Sequence, residues 1–537
     1  MPTLSDRLRA FLRRRSEPRT LISAQNDRRV VVASIVLLLL LGLPLWWTTT
    51  RVYRAKLPAS EIAGFAPDQE LVVPLYFYVD THSEMAVATE NIERMVQRLL
   101  DKQRTPYAPN EWRVRYTARI RHAAKAPDVP GHYALRLREA AKPTVDFGIG
   151  RAVDVLVAPS DKKQRDATVA QLVADIVAKE EREVRDKGGI RRALKYAPEY
   201  SVTFTLLNED PVGGASVGWD IESAADVFVR PFADALRPLA KLTVSTQVLH
   251  HAGPPPIKPV AHSNGTLLTH DMLPHFANSP WWNLASTDPI APTINFILYV
   301  PALHSQPMHI VADNKKPSDT NAFVVSQWGG IAIANLPADT KPGSSVVISR
   351  DDLQIYFGIF VAQLRELVGI RSDTPLSRTK GRVSVQQAIA TGISSWELDA
   401  LMRQWLVANR QTAIATLQSL VRLVESMENM VVMEEIKTQV DQSLSALCSI
   451  SDALAETKGA NHQRAFELAA NASFFAEGAF FDPSMVSLLY FPDQHKYAIY
   501  LPFFLPVTIP LLAAIKKAFR KDSATSNSAD DKGKKNK

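Results

Sequence analysis

Hydrophobic residues are spread along this chain in three ways, and each predicts a different kind of element. Residues 30–47 (VVVASIVLLLLLGLPLWW) and residues 497–515 (YAIYLPFFLPVTIPLLAAI) contain no charged side chain. At about 1.5 Å of rise per helical residue, either stretch covers most of a hydrocarbon layer roughly 30 Å thick, which predicts two transmembrane helices, one near each terminus. Trp46 and Trp47 suit the far interface of the first span, and Pro44 lies near its end, where a freed carbonyl still meets water. A cleaved signal peptide is the competing reading. It is disfavoured because 29 hydrophilic residues come first and no small-x-small pattern follows the Trp pair. In the second span Pro502, Pro506 and Pro510 would break a soluble helix. In a membrane they are tolerated where neighbouring helices or water satisfy the freed carbonyls, so this helix is expected to pack within a multi-helix assembly.

From about 70 to 370 short β-branched or aromatic runs alternate with amphipathic stretches, which predicts an α/β domain, a mixed sheet with flanking helices. Strands are expected at 71–79, 111–120, 153–158, 201–207, 242–249 and 293–300, and helices at 84–103, 165–187, 221–239 and 351–369. Residues 250–292, rich in Pro and His, read as a long excursion over the surface. After about 383 strand signals vanish, and apolar residues recur at three and four: Trp396, Leu398, Leu401 and Trp405, then Leu417, Leu420, Val424 and Met427. Gly459 and Asn461 mark a break between antiparallel helices, and Asp482-Pro483 closes the last, giving a helical stalk that returns to the membrane.

Charge adds an orientation. The net +7 sits at the ends: residues 1–29 hold eight Arg against three acids, and residues 516–537 hold eight Lys or Arg against three Asp, +5 each, which leaves 30–515 at −3. The body thus offers no basic surface for phosphate backbones, and nucleic-acid binding loses its support. Cations outside both spans, with only Arg51, Arg54 and Lys56 close on the opposite side, place both termini in the cytosol and translocate 48–496 as one loop to the lumen or exterior. Two sequons there, Asn264-Gly265-Thr266 and Asn471-Ala472-Ser473, are available for glycosylation. Arg28 and Arg29 abut the first span, where their guanidinium forks could pair with membrane lipids through anionic head groups or simply set topology.

Candidate chemistry is thin. Gly214-Ala215-Ser216-Val217-Gly218 matches a nucleophile elbow in letters, but Pro211 and Gly213 stand where the strand should run straight into the turn. Seven of the twelve His lie between 250 and 309 (His250, His251, His262, His270, His275, His304 and His309) without metal-ligand spacing on a helix, so scattered polar histidines are expected. The single cysteine, Cys448, forbids an intrachain disulfide and, in the amphipathic LSALCSISDAL, reads as a small buried hydrophobe. No catalytic residue, metal ligand or cofactor site is assigned. The alternative class is a hydrolase or glycan-modifying enzyme anchored at both ends, with an acid/base pair among Asp220, Glu222 and the histidines.

The runs GLPLWWTTTRVYRAKLP (42–58), GWDIESAADVFVRPF (218–232), NFILYVP (295–301), TNAF (320–323), WGG (328–330), VAQLRELVGI (361–370), WELDALMR (396–403), FFDPS (480–484) and YFPDQHKYAIYLPFFLP (490–506) together resemble, in order, the PIG-S family of glycosylphosphatidylinositol (GPI) transamidase subunits. The resemblance implies a non-catalytic subunit of a five-subunit complex in the endoplasmic-reticulum membrane, needed to form the carbonyl intermediate with the substrate. Its partners would include a caspase-like cysteine protease subunit. The organisation then reads as a cytosolic Arg-rich tail 1–29, a span 30–47, a luminal α/β domain 48–382, a luminal helical stalk 383–496, a span 497–515 and a basic cytosolic tail 516–537. In that setting exposed aromatic-Pro loops such as 280–290 are candidate contacts, although Trp pairs are as often core.

Overall fold

The computed structural model describes residues 21–519 with short interruptions, the longest at 81–87, 186–193, 285–290, 371–381 and 487–492. It forms two compact units, one from Ala59–Leu417 and Asp441–Glu477, the other from Met1–Pro58, Gln418–Val440 and Gly478–Lys537. The chain runs through α1 (Leu21–Thr50), β1 (Leu71–Asp80), α2 (Thr89–Gln103), β2 (Val114–Ala123), β3 (His132–Glu139), β4 (Thr144–Phe147), β5 (Ala152–Val157) and α3 (Lys162–Arg185). Then come β6 (Glu199–Asn208), β7 (Ser216–Trp219), β8 (Lys241–His250), β9 (Val260–His262), β10 (Gly265–Leu268), β11 (Thr293–Val300), β12 (Met308–Ile310), β13 (Ala322–Val325), β14 (Gly329–Ile333) and β15 (Ser345–Ile348). After these come α4 (Arg350–Val368), β16 (Arg382–Val385), α5 (Ser395–Ser426), α6 (Glu434–Leu454), α7 (His462–Phe480) and α8 (Asp493–Phe519), and short helical turns, including Ile221–Ala224 and Arg230–Leu236, lie between the longer elements.

The expected mixed sheet is in fact two large mixed sheets, both in the larger unit. The first has the order β16-β4-β5-β3-β1-β2, parallel except for the β4–β5 pair. One face buries Leu71, Val73, Leu75, Phe77 and Val79 of β1 beside Val114, Tyr116, Ala118 and Ile120 of β2. Both α2 and α3 touch β2 on that side, α2 through Ile92, Val96 and Leu100, four residues apart on one stripe. Pro74 sits inside β1, an awkward place for a residue without an N–H. Its nitrogen faces the β3 side, and β3 begins only opposite Tyr76, so no ladder bond is lost there. Edge strand β2 is blunted by side chains: Tyr107 donates to the Val114 carbonyl at 2.6 Å, Arg104 to that of Tyr116 at 2.8 Å, and Glu93 accepts from the Ile120 amide at 3.1 Å.

The second large sheet has the order β13-β14-β11-β6-β8, with β13 alone antiparallel. Central strands β6 and β11 are almost continuously buried, as parallel strands covered on both faces must be. Phe204 and Phe296 stack at 5.5 Å and meet Phe357 and Phe360 of α4, with Phe204–Phe357 at 5.0 Å and Phe296–Phe360 at 5.4 Å. Ser349 caps the start of α4 by accepting from the Asp352 amide, and Gly369, left-handed at φ 99°, closes its end.

Several expectations shift. Strands β3 and β4 were unexpected because their open face alternates charge into the pattern (HYALRLRE). The surface excursion 250–292 contains β9 and β10, which form a small sheet with β12 over a buried cluster of Leu268, Leu273, Trp282, Tyr299, Met308 and Ile310. Strand signals do not end at 383, since β16 pairs with β4. Helices α5 (to Leu417), α6 (from Asp441) and α7 (to Glu477) belong to the unit that holds the sheets, so over that length the helical segment is not a free stalk.

In the smaller unit α1 and α8 touch one another. Within α8, Ala498–Lys516 is long and apolar enough to cross a membrane, with a mean hydropathy of 2.1, whereas the apolar part of α1 is the shorter Val30–Gly42. Helix α8 continues through Pro502, Pro506 and Pro510. Each proline removes the helix bond to the carbonyl four residues earlier, so the carbonyls of Ala498, Pro502 and Pro506, on one stripe, lose their usual helical donor. After α1 the chain is held by the Ala55 amide on the Val432 carbonyl at 2.9 Å, by the Tyr53 hydroxyl on Glu434 at 2.6 Å, and by Arg54 on the Val424 carbonyl.

Gly329 opens β14 at φ 147°, and a Cβ there would lie 1.8 Å from the Asn295 carbonyl oxygen of β11. Backbone cannot swing aside as a side-chain tip can, so Gly329→Ala is expected to destabilise by at least about 3 kcal/mol. Tryptophan fluorescence during thermal unfolding of the detergent-purified full chain checks this, and an unchanged midpoint would contradict the strand geometry.

Candidate functional site

The strongest concentration of buried charge lies where α5 meets the first sheet. Within WELDALMR, Asp399 and Arg403 are four residues apart on one helix face and are 0 % and 2 % exposed. Arg151 grips Asp399 with both fork nitrogens at 2.7 Å, and the Gly131 amide donates to the same carboxylate at 3.3 Å. Arg403 is gripped in turn by Glu180 of α3, at 2.7 and 3.2 Å, and donates to the Tyr133 hydroxyl at 2.8 Å. Burial alone would lower the Arg403 pKa, and Glu180, Tyr133 and Asp399 together more than reverse that, leaving it raised. The next carboxylate of α3, Glu181, holds Arg104, which also caps the β2 edge.

Two histidines complete the cluster. His462, at the start of α7, donates from Nε2 to the Pro74 carbonyl at 2.8 Å. Its ring lies against Gly131, where a Cβ would fall 2.6 Å from Nε2 and φ is already 82°. His132 lies 3.3 Å from the Tyr78 hydroxyl through Nδ1 and 4.7 Å from the Tyr76 ring. Burial lowers both imidazoles, His132 to about 4 and His462 to about 3, so both are neutral at physiological pH. Burial also raises the Tyr133 and Tyr116 hydroxyls, which stay protonated. Permanently charged, fully paired guanidiniums and neutral buried imidazoles hold layers together; none presents an exchangeable proton to a solvent-exposed substrate.

Several runs that carry the family resemblance meet in this region and beside it. Arg365 of VAQLRELVGI pairs with Glu397 of WELDALMR at 2.8 Å, and Glu397 also accepts from the amide and hydroxyl of Ser394. Gly330 of WGG leaves room for Gln363, whose Nε2 donates to the Phe323 carbonyl of TNAF at 3.1 Å. Asn321 of TNAF, held at φ 48°, accepts from the Ile310 amide and donates to the Met308 carbonyl.

The residues singled out from sequence are not brought together. Ser216 is exposed at the start of β7, which pairs with β15; β6 ends at Asn208, and an Asp210-centred turn intervenes, its carboxylate accepting from the Val212 and Gly213 amides. Asp220 and Glu222 are exposed. The histidines of 250–309 are dispersed over the ends of β8, β9 and β12 and short helical turns, and among the described residues no group of three or more His, Cys, Asp or Glu could hold a metal. Cys448 is exposed on α6 rather than buried, because α6 turns Leu444, Leu447 and Ile450 inward and leaves position 448 outside that stripe. Trp282 of the 280–290 loop is core, 2 % exposed, with its indole N–H on the Gly253 carbonyl at 3.1 Å. Asn471 is exposed on α7, Asn264 lies outside the described residues, and Arg28 and Arg29 are in α1 with side chains outside them. The buried cluster was missed by the sequence reading; the signal was the i, i+4 acid and base inside an otherwise apolar helical stripe.

Comparison with known proteins places this architecture. The family model described as "Phosphatidylinositol-glycan biosynthesis class S protein" matches residues 33–524. The chain is 30% identical to the human protein named GPI-anchor transamidase component PIGS, covering 93% of this chain and 96% of the relative. It is 27% identical to the Schizosaccharomyces pombe GPI transamidase component PIG-S homolog, over 89% of this chain and 81% of the relative. Identity to the Saccharomyces cerevisiae GPI transamidase component GPI17 is 26%, over 87% of each.

Removing one partner of a buried ion pair strands the other, so Arg403→Ala is expected to cost about 3–5 kcal/mol, and Arg403→Met, which keeps volume, a similar amount unless Glu180→Gln is added. Thermal unfolding of the three variants checks this; a double variant no more stable than Arg403→Met would mean that Glu180 was never stranded. The histidines set a pH slope. Above the ordinary imidazole value of 6.5 both states are neutral; below it the unfolded chain takes up protons that the folded chain refuses down to about 4 and about 3. Stability is therefore complete above pH 6.5 and falls as the pH drops through that window, by up to about 1.4 kcal/mol per pH unit per imidazole. His462→Gln is expected to flatten the midpoint-against-pH curve between pH 6 and 4 by one imidazole's share, read by the same melts.

Proposed function

This chain belongs to the PIG-S family, the phosphatidylinositol-glycan biosynthesis class S proteins, and from that membership we propose that it is a non-catalytic subunit of the GPI transamidase complex in the endoplasmic-reticulum membrane. The observation that carries the reading is the end-to-end match to relatives named as components of that transamidase. The structure supports a scaffolding part: the buried charges of Asp399, Arg403, Arg151 and Glu180 are consumed in joining helices to a sheet, and Ser216 and Cys448 are exposed on separate elements, β7 and α6. The attachment of GPI anchors would then be performed by a cysteine protease subunit elsewhere in the assembly, with this chain supporting formation of the carbonyl intermediate.

The membrane arrangement is part of the same proposal. Both α1 and α8 cross the bilayer, the termini face the cytosol, and the larger unit lies in the lumen. Three supports are the apolar segments Ala498–Lys516 and Val30–Gly42, the cations beyond them, and the contact between the two helices. The stripe of freed carbonyls on α8 calls for polar partners within the membrane, which neighbouring helices of a complex would supply. Asn264 and Asn471 would face the glycosylating compartment, and Arg28 and Arg29 would sit at the level of cytosolic lipid head groups.

In cells lacking the endogenous subunit, Ser216→Ala and Cys448→Ser chains are expected to restore surface display of a GPI-anchored reporter to within about twofold of wild type, while wild-type chain purified in mild detergent brings other subunits with it. Loss of display with either conservative swap, in a complex that still assembles, would overturn the non-catalytic assignment. Digestion of sealed microsomes tests topology: the larger unit should survive external protease while both tails are trimmed.

A further inference from the structure

The four outer edges of the two large sheets are treated differently. On β2 the outward carbonyls of Val114 and Tyr116 and the Ile120 amide are taken by Tyr107, Arg104 and Glu93. Strands β13 and β16 have only four residues each. Strand β8 is ten residues long and paired on one side only, in full register with β6 from Glu199↔Lys241 to Asn208↔His250. The Lys241 amide donates to the Pro198 carbonyl at 2.9 Å, so the odd residues of β8 bond to β6 and the even ones, Leu242, Val244, Thr246 and Val248, aim their N–H and C=O outward. Among the described residues no backbone or side-chain group bonds to those outward amides and carbonyls. Thr243 bonds to Glu199, Ser245 to Thr203 and Gln247 to Thr205, each a residue of β6.

Between its charged ends β8 reads LTVSTQVL, with no charge, no proline, no glycine and four β-branched residues, and every position is half-buried or exposed. A bare edge of that composition is the pattern that soluble chains avoid, since any extended chain can add to it. Side chains of this protein blunt β2, whereas among the described residues nothing covers the edge of β8, which is of equal length.

We propose that the free edge of β8 is a strand-addition site, filled in the assembled complex by an extended segment of a resident partner subunit. The hydrogen-bonding pattern selects a peptide backbone over a lipid or a sugar, because only a strand supplies donors and acceptors at a repeat of about 6.6 Å along the edge. Length selects a resident partner over the transient precursor: a ten-residue edge, uncharged over its middle eight, needs permanent cover. The flanking side chains set the chemistry of the segment, uncharged over its middle, apolar where it runs beside Leu242, Val244 and Val248, and small and polar on the other face beside Thr243, Ser245 and Gln247. This inference rests on the subunit reading above.

The single native cysteine makes a direct test simple. Full-length chain carrying Cys448→Ser and Thr246→Cys is assembled in cells, treated with a short bismaleimide, purified, and its cross-linked peptide identified by mass spectrometry, with Arg119→Cys in the same background as an off-site control. A cross-link from position 246, absent from position 119, to an extended segment of another subunit supports the proposal. A cross-link to the precursor, to a second copy or to this chain's own residues, or none at all, overturns it. In parallel, Thr246→Pro removes an outward N–H that β6 does not use, and is expected to lower recovery of that partner at least roughly tenfold while the unfolding midpoint stays that of wild type. Should Thr246→Pro unfold, Thr246→Lys replaces it, and undiminished recovery with a folded variant overturns the proposal. Wild-type chain that purifies with its partners while the edge tests fail leaves the subunit reading standing; wild-type chain that purifies alone removes both.

Discussion

A guanidinium taken out of water costs several kcal/mol unless all of its protons find oxygen, and the larger unit is organised around meeting that demand for Arg403. Glu180 on α3 takes one side of the fork and Tyr133 on β3 another proton. One turn earlier Asp399 imposes the mirror requirement, met by Arg151 and the Gly131 amide. Apolar packing is tolerant of small slides; paired forks at 2.7 Å are not. Helix α5 is therefore fixed in rotation and in height against the first sheet, and α7 is fixed beside it by His462 on the Pro74 carbonyl. Two features that look wrong in isolation are each answered here: the proline inside a strand by His462, and the charges inside an apolar helix by Arg151 and Glu180.

That arrangement bears on function by what it uses up. Groups that in an enzyme would be perturbed toward reactivity are here perturbed toward inertness: imidazoles held neutral by burial and guanidiniums held charged by carboxylates. A perturbed pKa in a cleft suggests chemistry, whereas the same perturbation in a closed interior, with the guanidiniums paired to carboxylates, suggests a rivet. The proposed scaffolding role calls for rivets more than for a cleft, and relatives in the same family are named as components of a transamidase. The freed carbonyls of α8 belong to the same logic, since they are polar demands a lone helix cannot meet.

Much of this was readable from the residues alone. Uncharged stretches of hydrocarbon length and the cations outside them are one-dimensional signals, and so are the alternations that placed β1, β6, β8 and β11 to within three residues of their observed ends. The runs NFILYVP, WGG and WELDALMR pointed to a family because short-range order survives in sequence. What the residues did not disclose was pairing: a second large sheet in place of one, a small sheet within a stretch that reads as loop, Cys448 outside its helix stripe and Trp282 inside the core. Strands such as β3 carry charge on an open face and lose their alternation signal, and a Pro- and His-rich stretch can still fold over a core that other segments supply. The sequence thus determined which segments are apolar, which are charged and how each repeats, because those properties are local. Only the tertiary structure decided which charge faces which and which strand edge stays open, because a buried ion pair or a ladder joins residues up to 248 positions apart and leaves no periodic trace in either partner.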